Sequence, residues 1–107
     1  MIFRKKLRYI LVEASGEVNM EDSRLFDSLR DQMSAFLGHL PYFKANPQIA
    51  AQWSRSTFVM KVNRGYERDV MLAFSFIKNL DGKGVGFYTI KTSGTIRSIR
   101  SAFRKMY

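Results

Sequence analysis

Apolar residues along this chain switch between strand spacing and helix spacing in a single order, β-α-β-β-α-β-α, and that order limits the fold more than any other feature. Arg8 to Ala14 reads as a strand. Its run Tyr9-Ile10-Leu11-Val12 is continuously apolar, so the strand is expected to be buried on both faces and central in its sheet. Ser15-Gly16 ends it. Asn19 to His39 reads as a helix, because Leu25, Leu29, Met33, Phe36 and Leu40 recur at helical spacing with Phe26 and Leu37 beside them. Glu21 and Asp22 are placed in its first turn, and Gly38 and Pro41 mark its end. Residues 41–47 read as a loop. Gln48 to Trp53 and Thr57 to Asn63 read as two strands around Ser54-Arg55-Ser56, the second with Phe58, Met60 and Val62 alternating with Val59, Lys61 and Asn63. A second helix is expected over Tyr66 to Asn79, with Val70, Ala73, Phe74 and Ile77 on one face. Asp81-Gly82 and Gly84 make a turn, Val85 to Thr92 forms a strand, and Ser93-Gly94-Thr95 opens a terminal helix from Thr95 to Met106.

Two β-α-β halves joined by a hairpin predict an α+β, ferredoxin-like or RRM-like sandwich. It has an antiparallel sheet with helices on one face, and a C-terminal basic helix follows it. The 107 residues suit one domain, spanning 1–107, with core enough to fold without staples. The chain has no cysteine, which rules out disulfides and thiolate metal sites and favours a reducing compartment. No apolar run approaches the ~18 residues of a membrane span. The basic start, Met1 to Lys6, lacks the apolar core of a signal peptide, since Arg8 and Glu13 interrupt the residues that follow. A cytoplasmic protein without a membrane partner is expected.

Charge narrows the function. Eighteen Lys and Arg stand against nine Asp and Glu, for a net +9. Residues 1–54 hold seven basic and six acidic groups, whereas residues 55–107 hold eleven and three. An excess localised in this way is the footprint of a surface that meets a polyanion. The sharpest part is the terminal helix. Ile96, Ile99 and Phe103 share one face, while Arg97, Arg100 and Arg104 repeat one residue later with Lys105 adjoining. One side can dock while guanidinium groups project outward, and their planar forks suit phosphate oxygens. A solvated charged face is the bland alternative, but no acidic residue follows Asp81 to neutralise the row locally. Ser93, Gly94 and Thr95 offer backbone N–H groups at the helix start, flanked by Lys91 and Arg97. Lys61, Arg64 and Arg68 form a second basic group around Gly65-Tyr66, where Gly65 serves the turn and Tyr66 either stacks on a base or covers the helix start. Arg4, Lys5, Lys6 and Arg8 form a third, a flexible or edge-strand arm expected to add nonspecific affinity.

Protein-borne catalysis finds little support. His39 is the only histidine and sits at a helix end, and Asp27 has Arg24 and Arg30 three residues to either side, as in ordinary surface pairing. The stretch Lys83-Gly84-Val85-Gly86-Phe87-Tyr88-Thr89-Ile90 partly matches an RRM signature, but Val85 and Ile90 stand where stacking aromatics belong.

Three blocks carry a family resemblance: Lys6-Leu7-Arg8-Tyr9-Ile10-Leu11-Val12-Glu13; Met60-Lys61-Val62-Asn63-Arg64-Gly65-Tyr66 leading into Asp69-Val70-Met71-Leu72-Ala73-Phe74; and Thr92-Ser93-Gly94-Thr95-Ile96-Arg97-Ser98-Ile99-Arg100. In order and spacing the chain resembles the ribonuclease P and MRP protein-subunit family of the POP-five type, known in archaea as protein component 2. The last block is the most specific, and residues 41–56 lie outside the match. The resemblance implies a non-catalytic subunit of the ribonucleoprotein that removes the 5′ leader from precursor tRNA. It implies hydrolysis by the RNA subunit and its Mg²⁺ ions, with no cofactor bound by the protein. The implied partners are the ribonuclease P RNA, ribonuclease P protein component 3, a second copy of the chain within a two-plus-two assembly, and, indirectly, precursor tRNA. The RNA-binding candidates are Lys61, Arg64, Arg68, Lys91, Ser93, Gly94, Thr95, Arg97, Arg100, Arg104 and Lys105, and no catalytic or metal-ligating residue is expected. Trp53 or Phe43 is a candidate for the protein-partner surface. The competing readings are a general RNA-binding module of RRM or ribosomal type and a small ferredoxin-like enzyme acting on phosphates.

Overall fold

In the computed structural model, which describes residues 6–106, a four-stranded antiparallel sheet is built from β1 (Leu7–Ala14), β2 (Gln48–Gln52), β3 (Thr57–Asn63) and β6 (Phe87–Ser93) in the order β2-β3-β1-β6. This is the split β-α-β, ferredoxin-like arrangement that the sequence predicts. The arm residues Arg4 and Lys5 lie outside the described residues.

The register explains why β1 is central. Leu7 pairs with Asn63 at one end and Glu13 with Thr57 at the other, while Tyr9 to Ala14 pair with β6 on the opposite side. Ile10, Leu11 and Val12 are fully buried, so both faces of the strand are covered. One face belongs to α1 (Ser23–Leu37) and α3 (Glu67–Phe76). There Ile10, Val12, Phe58, Met60 and Val62 pack with Leu29, Met33, Val70 and Phe74. The Phe58, Phe74 and Phe87 rings meet at centroid distances of 5.3 to 6.1 Å in tilted or edge contacts. The other face belongs to α4 (Ile96–Met106), where Leu11 and Val59 meet Ile99. α1 and α3 share one face of the sheet as expected, and the terminal basic helix takes the other. The sandwich has three layers, because a strand apolar on both sides needs a cover on each.

Three local expectations change. The first helix starts at Ser23 rather than Asn19, because the Asp22 carboxylate accepts from the Arg24 N–H at 2.9 Å and caps it. Residues 41–47 are not all loop, since α2 spans His39–Ala45 with Pro41 in its first turn, where a missing N–H costs nothing. The second helix stops at Phe76, and a two-residue hairpin follows, β4 (Asn79–Leu80) with β5 (Lys83–Gly84). Its turn residues Asp81 and Gly82 both have positive φ, 50° and 84°.

Candidate nucleic-acid interface

The terminal helix is fixed at its start by its own sequence. The Thr95 hydroxyl accepts from the Ser98 N–H at 3.3 Å, and the Ser93 hydroxyl accepts from the Thr95 N–H at 3.2 Å. Its apolar stripe then lies flat on the sheet. Ile99 is fully buried against Leu11 and Val59, with Ile96, Ala102, Phe103 and Met106 packed around it. Trp53 closes this cluster from the β2 side, its ring 5.2 Å from that of Phe103. The tryptophan considered for a partner surface is thus spent on holding the helix.

The opposite side of α4 carries Arg97, Arg100, Arg104 and Lys105, all exposed. At a rise of about 1.5 Å per residue, Arg97 to Arg104 span roughly 10 Å in a row. Among the described residues the ion pairs are Arg24–Asp22, Arg30 with Asp27 and Asp31, and Arg55–Glu17. None of them draws on the row. The Arg100 guanidinium lies 5.7 Å from the centre of the Trp53 ring. Such a contact is worth about 0.5–1 kcal/mol at an exposed site.

The sheet adds cations to the same side. Lys61 and Ser93 both stand opposite Tyr9, and Lys91 stands opposite Leu11, which places all three on the face that α4 covers. Lys91 is exposed and Lys61 half-buried. Gly94 and Thr95 are exposed at the helix start, where the first N–H groups have no intrahelical partner. Arg64 is exposed in the turn after β3, at the sheet end where Leu7 pairs with Asn63. Arg68 is exposed on α3, in the layer across the sheet from α4, so the fold does not bring it to the row. Gly65 has φ +101°, in line with its expected turn role, and Tyr66 is half-buried against the main core at the start of α3.

Two further residues near this sheet end, Lys44 and Asn63, carry no signal in apolar spacing. They come into view only once residues 39–45 are seen as a helix, with the Asn63 Nδ2 donating to the Lys44 carbonyl at 2.7 Å. Among the described residues, no three His, Cys, Asp or Glu side chains are grouped as metal ligands would be. The sheet face on which RRM domains stack bases is here covered by α4, which leaves that mode of binding no platform at the centre of the sheet.

Residues 8–104 match the Rpp14/Pop5 family. Among curated relatives, ribonuclease P protein component 2 of Methanocorpusculum labreanum is 29% identical over 98 residues, covering 91% of this chain and 65% of that protein. The chain therefore spans somewhat under two thirds of that relative's length. Ribonuclease P protein component 2 of Thermococcus kodakarensis is 26% identical over 105 residues, covering 97% and 88% of the two chains. Among solved structures, a chain of yeast ribonuclease MRP, seen by cryo-electron microscopy, superposes with a TM-score of 0.54 at 9% identity. It covers 99% of this chain and 95% of that one, a likeness of fold.

Proposed function

As the chain belongs to the Rpp14/Pop5 family, we propose that it is a non-catalytic protein subunit of ribonuclease P that binds and supports the catalytic domain of the RNA during 5′-leader removal from precursor tRNA. One observation carries this reading: a row of exposed guanidinium groups that form no ion pair among the described residues, on a helix whose other side is locked to the sheet. Folding an RNA around a catalytic core crowds phosphates together. Fixed cations among them replace diffuse counterions and lower the Mg²⁺ that the fold requires. Contacts of this type set position without reading bases, so the specificity lies in the shape of the RNA. Lys61, Lys91 and the Ser93-Gly94-Thr95 backbone extend the contact along the sheet, and Arg64 continues it at the sheet end. Mg²⁺ belongs to the RNA, and the protein holds no cofactor.

The helical layer serves protein partners. Phe76 is 62% exposed and stacks on Phe36 at 4.9 Å, and Leu72, also exposed, lies one turn earlier on α3. An apolar patch of this kind on a highly charged protein marks a contact surface. Arg68, one further turn back, falls in the same row, so its place is with this surface rather than with α4. The occupant proposed is ribonuclease P protein component 3, within an assembly that also pairs two copies of this chain.

Reconstitution tests the reading. Added with component 3 to the cognate RNA, the chain lowers the Mg²⁺ needed for precursor tRNA cleavage, and Arg97→Ala/Arg100→Ala/Arg104→Ala loses that gain. An unchanged Mg²⁺ requirement on adding the wild-type pair refutes it.

A further inference from the structure

At the sheet end where β1 begins and β3 stops, Lys6, Phe43, Lys44, Asn63, Arg64 and Tyr66 line an open groove of about 720 Å³. Three separate segments build it, and hydrogen bonds tie them together. The Arg64 N–H donates to the Lys6 carbonyl at 2.8 Å, and the Asn63 amide donates to the Lys44 carbonyl at 2.7 Å. The groove is thus held open by backbone anchors rather than by a loop free to close.

Its chemistry is unusual for a bare surface. Three cations line it, none of them forms an ion pair among the described residues, and the nearby Glu67 carboxylate accepts from the Gly65 N–H at 2.8 Å. Phe43 is the most exposed large apolar side chain described, at 79%. Most of its apolar area remains in solvent, so the ring adds little to the stability of the fold. The Asn63 amide is turned inward, its Nδ2 donating to the Lys44 carbonyl and its Oδ1 buried, so it braces the wall of the groove.

We infer that this groove is a binding site for one unpaired nucleotide of RNA, with the base stacked on Phe43 and the phosphate held by Lys6, Lys44 and Arg64. The volume lies within the range of small-ligand sites. Aromatic stacking is the general means of holding single-stranded bases, and cations that track the backbone accompany it. A protein segment would meet the ring but would leave three clustered cations unmatched. The site rests on the reading of the chain as an RNA binder. It is separate from α4 in position and in chemistry: α4 reads phosphates alone, and the groove requires a base.

The test uses the full chain and a short single-stranded RNA, oligouridine with one central 2-aminopurine. Binding quenches the 2-aminopurine fluorescence, and Phe43→Ala abolishes the quench and weakens affinity about 5- to 100-fold, the range of one lost stacking contact. Because Phe43 is exposed, this variant keeps its core. Arg97→Ala/Arg100→Ala/Arg104→Ala keeps the quench, which separates the fate of this site from that of α4. The inference is overturned if Phe43→Ala quenches and binds as the wild type does. It is equally overturned if Phe43→Ala leaves RNA binding intact and instead abolishes association with component 3.

Discussion

Gly94 and Gly65 look alike in the sequence, each in a short polar turn before a helix, yet they answer to different constraints. Gly65 has φ +101°, a conformation that an L side chain adopts only under strain. Gly94 is not in that region, and a Cβ added there meets only the Arg8 Nη1 at 3.5 Å, an ordinary contact. Gly65→Ala is therefore expected to lower unfolding stability by about 1 kcal/mol or more, measured by urea denaturation. Gly94→Ala is expected to leave stability within about 0.5 kcal/mol of the wild type, as for a surface change. If its backbone meets RNA, the same substitution weakens RNA binding. A large loss of stability in Gly94→Ala contradicts this division. The sequence marks Gly65 for the turn and Gly94 for the helix start, but that only Gly65 of the two takes a positive φ was not legible, because backbone angles have no signature in composition. Tyr66 is a similar case: its half-buried place at the start of α3 combines the covering role expected from the sequence with a position lining the groove.

At the scale of elements, legibility followed the length and purity of the apolar pattern. The boundaries of β3 were readable because Phe58, Met60 and Val62 alternate cleanly, and α4 was readable because Ile96, Ile99 and Phe103 share a face. α2 escaped notice because Pro41 falls within it, Pro47 follows closely, and its seven residues give too few turns for a period to show. The β4–β5 hairpin, with two residues per strand, falls below any periodic signal. The side on which α4 docks was in fact encoded. The run Ile10-Leu11-Val12 is apolar on both faces, α1 and α3 cover only one, and α4 is the remaining element with an apolar stripe. Ile99→Ala tests that docking, since it leaves a cavity between Leu11 and Val59. A loss of about 2–5 kcal/mol is expected, with altered fluorescence from Trp53, the only tryptophan. Wild-type stability in this variant shows that the helix is not held where it stands.

The whole molecule separates its chemistry by layer. The α4 side carries the unpaired row, whereas the described acidic residues of helices, Asp27, Asp31, Glu67 and Asp69, lie on α1 and α3 with the Phe36–Phe76 patch. That division predicts independent losses. Leu72→Ala/Phe76→Ala lowers affinity for component 3 in calorimetry and leaves RNA affinity unchanged, and a fall in RNA affinity alone contradicts it. If α4 neutralises phosphates as proposed, the slope of log affinity for the cognate RNA against log salt concentration reports it. Arg97→Ala/Arg100→Ala/Arg104→Ala is expected to reduce the magnitude of that slope by about 2 to 3, close to one per arginine removed, with the fold unchanged by circular dichroism. A folded triple variant with the wild-type slope would show that these arginines do not meet the RNA.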